Sequence, residues 1–290
     1  MRLDEPTNRL TLGKTDRVSR LLSVLASTFV GCTGPLVEPE QGPPFRCPVF
    51  VAHRAGAREV GVPDNSLAAF EAARADSLKV VEVDVRWSRD NEAVLFHDRR
   101  LSRGPWSVPG NLAGQEVAQV SSEALKRICA PGVQKGCVLP FTRMLDVMQL
   151  GGESVQLDLK GSPKPYQLAS LFSEIAKRSL EERVIIFCDP FSEYHSVRAK
   201  SAAIRVMVRV HDEGELEWLL RAPPWAVQVD EEMLRLPVLN RLREKKVLVM
   251  VKTLEGAGDD PRHWESLRAR GTDMILTDFP RAARRAICDR

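Results

Sequence analysis

A chain of 290 residues with 43% hydrophobic side chains can bury the core of one large domain. Its 42 basic residues are nearly cancelled by 39 acidic ones, a net charge of +3, which speaks against the clustered basic face that nucleic-acid binding needs. No apolar run reaches 18 residues, so a membrane-spanning helix is not expected, and six cysteines without a CxxC pair give no sign of structural zinc.

In chain order, residues 1–46 stand apart from the rest. Arg17-Val18-Ser19-Arg20 is a basic head, Leu21 to Val30 is apolar and short, and Gly31-Cys32 leads into the Pro/Gly/Glu-rich stretch GPLVEPEQGPP. That plan fits a secretory signal. Phe29-Val30-Gly31-Cys32 resembles the cleavage box of bacterial lipoproteins, where the cysteine is lipidated. The expectation is a signal and linker over 1–46, a domain over 47–290, and an exported periplasmic or surface protein attached to the membrane through Cys32. The alternative is a cytoplasmic protein with an N-terminal extension.

From Val49 onward, short β-branched runs alternate with helical patterns, the signature of a parallel α/β sheet. Strands are predicted over Val49–His53, Val80–Val85, Ser154–Leu159, Val184–Cys188, Ile204–Arg209, Ala226–Val229, Val247–Val251 and Asp273–Thr277. Helices are predicted over Ser66–Ala75, Phe141–Leu150, Pro165–Arg178, Pro190–Ser201, Glu213–Arg221, Met233–Glu244, Asp259–Arg270 and Pro280–Ile287. Eight such strands are the number that closes a (β/α)8 TIM barrel. Ala93–His97 follows Val85 too closely for a parallel crossover, so it is predicted to pair antiparallel with the second strand as an extra hairpin strand. A two-residue turn at Asp90-Asn91 would set His97 opposite Asp84, with Glu82 on the same face. The stretch between His97 and Leu139 is read as a loop. Cys129 and Cys137 bracket APGVQKG, which a disulfide could close; Cys47 and Cys288 flank the first strand and last helix, neighbours in a closed barrel. Reduced cysteines are the alternative in each case.

Chemistry concentrates at the C-terminal ends of the first three strands, where such barrels carry their active sites. In Val81-Glu82-Val83-Asp84-Val85 one face is apolar and the other acidic, and an acidic face turned into a barrel calls for a counter-cation. With Asp158, three carboxylates suit Mg²⁺ or Ca²⁺ better than zinc. His53 and His97 are candidates for acid and base, and Arg54 and Lys160 for holding an anionic oxygen. Taken singly, each has a plainer reading: Asp158 as a partner of Lys160, the histidines as structural. His195, His211 and His263 lie in helical or surface patterns and read as structural, and Trp87 and Trp106 as packing residues.

The blocks Val51-Ala52-His53-Arg54, Pro63-Asp64-Asn65-Ser66-Leu67-Ala68-Ala69-Phe70, Glu82-Val83-Asp84-Val85 and His97-Asp98 together resemble, in order and spacing, the glycerophosphodiester phosphodiesterases. Leu139-Pro140, Leu157-Asp158-Leu159-Lys160 and Thr277-Asp278-Phe279-Pro280 resemble later blocks of that family. The resemblance implies a TIM barrel that hydrolyses glycerophosphodiesters to glycerol 3-phosphate and an alcohol with one divalent cation. It implies His53 and His97 as the acid–base pair, Glu82, Asp84 and Asp158 as metal ligands, and Arg54 and Lys160 as phosphate contacts. Lys252 stands where the family often has Trp, in the expected substrate pocket, and Asp158 stands where it usually has Glu. HRAG and PDNS replace HRG and PENT. Two other readings are carried: a phospholipase D-like enzyme releasing a cyclic phosphate from a lysolipid, and a lipoprotein that binds a phosphate ligand without turnover.

Overall fold

The computed structural model describes residues 47–102, 104–189, 193–254 and 258–289. The expectations for 1–46, including lipidation at Cys32, lie outside these residues. The valine-rich runs form parallel strands β1 (Val49–Ala52), β2 (Val80–Trp87), β5 (Ser154–Leu159), β6 (Val184–Cys188), β7 (Arg205–Val210), β8 (Ala226–Val229), β9 (Leu248–Lys252) and β10 (Met274–Thr277). They pair in the order β1-β10-β9-β8-β7-β6-β5-β2, and β1 also pairs with β2, which closes the ring. The expected (β/α)8 barrel is thus present. The outer faces of the strands pack on the helices, as Val81, Val83 and Val85 of β2 do, whereas Val51, Val80, Ile185, Met207 and Met274 fill the interior. The inner face of β2 turns acidic at Glu82 and Asp84, just where the barrel opens.

Strands β3 (Ala93–Leu95) and β4 (Leu139–Pro140) lie outside the ring, antiparallel to β2 and to each other. The hairpin departs from the expected register by one residue: Val85 faces Leu95, Arg86 faces Val94 and Trp87 faces Ala93. The cause is the turn. Ser88 N–H donates to the Glu92 carbonyl, leaving three residues in the loop, with Asn91 in the left-handed region at φ 64°. A three-residue loop of this kind shifts the register that a two-residue turn would set. Phe96, not His97, therefore stands opposite Asp84, its N–H donating to the Asp84 carbonyl. The strand ends at Leu95, and His97 reaches the barrel mouth from the segment beyond it.

The turn is pinned from a distance. Asp90 accepts from the Ser88 hydroxyl and from both the N–H and hydroxyl of Ser122. These bonds hold its carboxyl far below the ordinary range, the Ser88 hydroxyl contributing most. A depressed carboxylate pKa stabilises the fold above the unfolded value near 4, and that contribution is lost as pH falls towards the folded value. Asp90→Asn is expected to lower stability at neutral pH, with the denaturation midpoints of variant and wild type converging as the medium is acidified below about pH 4. A difference independent of pH would remove the carboxylate from this role.

The stretch from His97 to Leu139 is more than a loop. It contains a short helix (Ser122–Leu125), and its Leu101, Trp106, Val117, Leu125 and Ile128 bury against Val94 and Phe96 as a small core of their own. Trp106 packs on Phe96 at 5.8 Å between ring centroids, and Trp87 is buried in the main core. Both cysteine pairs are bridged: Cys129–Cys137 closes APGVQKG, and Cys47–Cys288 ties the residue before β1 to the end of the last helix, Pro280–Ile287. Among the described cysteines Cys188 alone is unbridged, and burial pushes its thiol up to about 12.

Candidate active site

The mouth is a cavity of about 570 Å³ whose lining includes His53, Arg54, Glu82, His97, Asp158, Lys160 and Lys252. Asp84 lies just beneath, 1% exposed. All the residues singled out from the sequence for metal, acid–base and phosphate roles are thus brought together. β1 closes at Ala52, so His53 opens a tight turn rather than ending the strand. Arg54, Ala55 and Gly56 follow with φ of 46°, 64° and 67°. Only glycine adopts such angles at little cost. At Gly56 a Cβ would also meet Arg281 Nη1 at 3.1 Å. The turn aims the Arg54 N–H at Glu82 Oε2, 2.8 Å away.

One oxygen from each of Glu82, Asp84 and Asp158 lies within 4.8 Å of the others. β2 and β5 place them: Asp84 and Asp158 are register partners, and Glu82 sits two residues back on the same face. Burial first, then Asp84 and Asp158, push the Glu82 carboxyl well above its ordinary range. Burial would raise Asp84 also, but Lys160 and the Asn65 amide outweigh it and hold that carboxyl low. Asp158 is raised, burial outweighing Lys160. Three clustered oxygen donors, two of them made reluctant to ionise chiefly by burial, form a set that a hard divalent cation fits.

The cations expected to hold phosphate are paired within the protein. Arg54 Nη1 donates to Asp64 at 2.7 Å, with its Nε 3.5 Å from Asp84. Lys160 Nζ lies 2.6 Å from Asp158 and 3.1 Å from Asp84. The plainer reading of Asp158 as a Lys160 partner therefore holds alongside its place in the acidic cluster. Asn65, in the Pro-Asp-Asn-Ser block, donates to Asp84 Oδ2 at 2.8 Å and accepts from the Asp84 N–H at 3.0 Å, with φ 57°.

Sequence reasoning passed over Asp278. Its Oδ1 lies 2.6 Å from His53 Nδ1, and its Oδ2 accepts from Arg58 Nη1 at 2.8 Å. Burial would raise this carboxyl, but His53 and Arg58 outweigh it and keep it below the ordinary range. An ionised carboxylate only accepts, so Nδ1 carries a proton, and Nε2 is the nitrogen left to gain or lose one. Asp98 stands at 2.8 Å from His97 Nδ1 in the same relation. His195 sits edge-on to Trp218, His211 beside Glu215 and His263 beside Glu231.

A sequence profile of the glycerophosphoryl diester phosphodiesterase family matches residues 53–282. The chain belongs to this family. It is accordingly an enzyme of the phosphoric diester hydrolase class. Over 248 residues it is 43% identical to the Mycobacterium tuberculosis (strain H37Rv) protein named "Probable glycerophosphodiester phosphodiesterase 2", covering 79% of this chain and 87% of that one. It is 26% identical over 245 residues to a Caldanaerobacter subterraneus glycerophosphodiester phosphodiesterase, covering 80% and 94%. An Oleispira antarctica phosphodiesterase, solved in complex with the product sn-glycerol-3-phosphate, superposes with a TM-score of 0.68 at 19% identity, covering 83% of this chain and 96% of that one. A Parabacteroides distasonis glycerophosphoryl diester phosphodiesterase superposes at 0.69 with 22% identity, covering 86% and 89%. At these identities the superpositions establish the barrel fold.

Proposed function

We propose that the enzyme hydrolyses glycerophosphodiesters to glycerol 3-phosphate and an alcohol, with His53 and His97 as acid–base pair and Glu82, Asp84 and Asp158 holding one Mg²⁺ or Ca²⁺. The observation that carries this is the convergence of two imidazoles and three carboxylates in one cavity. The cation's contribution would be neutralisation of phosphate charge. One imidazole takes the proton of a glycerol hydroxyl as its oxygen bonds to phosphorus. The other gives a proton to the alcohol oxygen as the bond from phosphorus to that oxygen breaks. Water then opens the resulting cyclic phosphate with the two roles exchanged. Asp278 and Asp98 fix the ring tautomers, and Arg54 and Lys160 stand beside the phosphate oxygens.

Phosphorus NMR of the reaction on glycerophosphocholine tests the proposal. The expected end product is an open monoester, with any cyclic phosphate transient. Accumulation of the cyclic species would favour the phospholipase D-like reading, and absence of either product would sink both. For residues 1–46 we propose export with lipidation at Cys32, supported by the two disulfides, which persist in oxidising compartments. Mass spectrometry of native membrane-associated protein should find an acylated N-terminus at Cys32; a full-length unmodified chain would refute it.

A further inference from the structure

Beside the mouth lies a second cavity of about 500 Å³, between the end of β2, the segment around Glu116 and the loop after β5. The two cavities share Lys160 in their walls. The charge of this groove is one-sided: Arg86, Arg89, Arg99, Lys160 and Lys164 line it against the single carboxylate of Glu116. Glu116 is itself taken by Arg99 at 3.0 Å and Arg100 at 2.9 Å. In the mouth, Lys252 apart, the cations are answered, Arg54 by Asp64, Arg58 by Asp278, Arg209 by Asp230 and Lys160 by Asp158. In the groove, Arg86, Arg89 and Lys164 have no carboxylate within ion-pairing distance among the described residues.

Arg86 is the telling case. Its guanidinium is half-buried, and its Nε donates to the carbonyl of His97 at 2.8 Å, so the groove wall is bonded to the segment that carries a proposed acid–base residue. Burial lowers its pKa, outweighing Asp84, Asp98 and Asp158, which act on it from beyond ion-pairing distance. A guanidinium buried without a paired anion is costly, and an anionic ligand removes that cost. Arginines in a concave site are suited to the several oxygens of a phosphomonoester.

We propose that this groove receives a phosphomonoester carried on the leaving alcohol, so that the enzyme prefers glycerophosphodiesters with a second phosphate. The inference rests on the phosphodiesterase reading above and names its substrate class. The diester would sit at the acidic cluster, and the second phosphate would lie across Lys160 among Arg86, Arg89 and Lys164.

The test compares glycerophosphoinositol with glycerophosphoinositol 4-phosphate, which differ by one phosphate, on the purified full chain supplied with Mg²⁺ or Ca²⁺. The expected kcat/KM is at least about tenfold higher for the phosphorylated substrate, with the ratio shrinking as salt is raised. In Arg89→Gln/Lys164→Gln the ratio should fall to about one, while kcat/KM on glycerophosphoinositol stays near wild type. Arg89→Lys/Lys164→Arg, which keeps both charges, should retain most of the preference. A wild-type ratio near one overturns the proposal, and so does a preference that survives the double Gln variant. Should neither substrate turn over, the phosphodiesterase reading has failed and the groove is read alone by calorimetric titration with inositol 1,4-bisphosphate. Binding by wild type that is lost in the double Gln variant sustains the groove; equal binding in the two, or none in either, overturns it.

Discussion

Replacing His53 or His97 by alanine is expected to lower kcat by about 10²–10⁴, the usual contribution of one general acid or base. Cation affinity should stay close to wild type, because neither ring belongs to the carboxylate cluster. Asp278→Asn is expected to lower kcat less than His53→Ala does. An asparagine can present its amide nitrogen to His53 Nδ1, which would favour the tautomer with the proton on Nε2, the wrong one for a base. Steady-state kinetics at saturating cation is the check, with His195→Ala as control, since that ring packs against Trp218 and should leave the rate nearly unchanged. Near-wild-type turnover in either His53→Ala or His97→Ala would remove that histidine from the reaction.

Chelation is expected to abolish turnover, and Mg²⁺ or Ca²⁺ to restore it. Glu82→Gln should weaken cation binding by more than about 100-fold, since even outer-shell partners of a metal site cost 10–100-fold. The same substitution should stabilise the cation-free protein at neutral pH. Burial, Asp84 and Asp158 push the Glu82 carboxyl well above its ordinary range. Between the ordinary and the raised value the fold binds more protons than the unfolded chain, so this group's contribution to stability falls as pH rises through that window. Glutamine carries no charge to repel Asp84 and Asp158, and Glu82's share of the slope should vanish, leaving that of Asp158. Proton and cation compete for this carboxylate, so wild-type cation affinity should rise with pH across the same window. Thermal melts with EDTA and with added cation read both effects. Full activity after exhaustive chelation, or an unchanged cation-induced rise in Tm for Glu82→Gln, would count against the site.

Much of the barrel was legible because its strands are fully buried valine-rich runs whose ends are marked by polar residues. Ser154–Leu159, Val184–Cys188 and Ala226–Val229 form strands over the predicted spans. β2 runs on to Trp87 because the outer hairpin strand extends its ladder beyond the last pairing with β5. The acidic cluster was visible in the alternation of Glu82 and Asp84 with valines. The hairpin register was not, because Asp90 and Asn91 both favour turns, and what fixes the loop is Ser122, which lies 32 positions from Asp90. Asp278 escaped for a similar reason: it meets His53 only once the ring closes, 225 positions on. Its block, Thr277-Asp278-Phe279-Pro280, is visible as a pattern, but nothing local assigns the carboxylate a partner.

The bridge between Cys47 and Cys288 gives the enzyme a mechanical property. β1 meets β2 only through Val51–Val80 and Ala52–Val81, whereas β2 and β5 pair along six residues from Val80–Ser154 to Val85–Leu159. The ring is therefore most thinly stitched beside its first strand. A tensile load applied to the two chain ends would act first on that strand and on the last helix, peeling them from the barrel. With Cys47 joined to Cys288, the load crosses from one sulfur to the other, and the chain between them, whose ends are 241 positions apart, stays slack. Tethered at one end and tugged at the other, the barrel is a bead on a closed loop, and only reduction of that bond would let the force reach the strands.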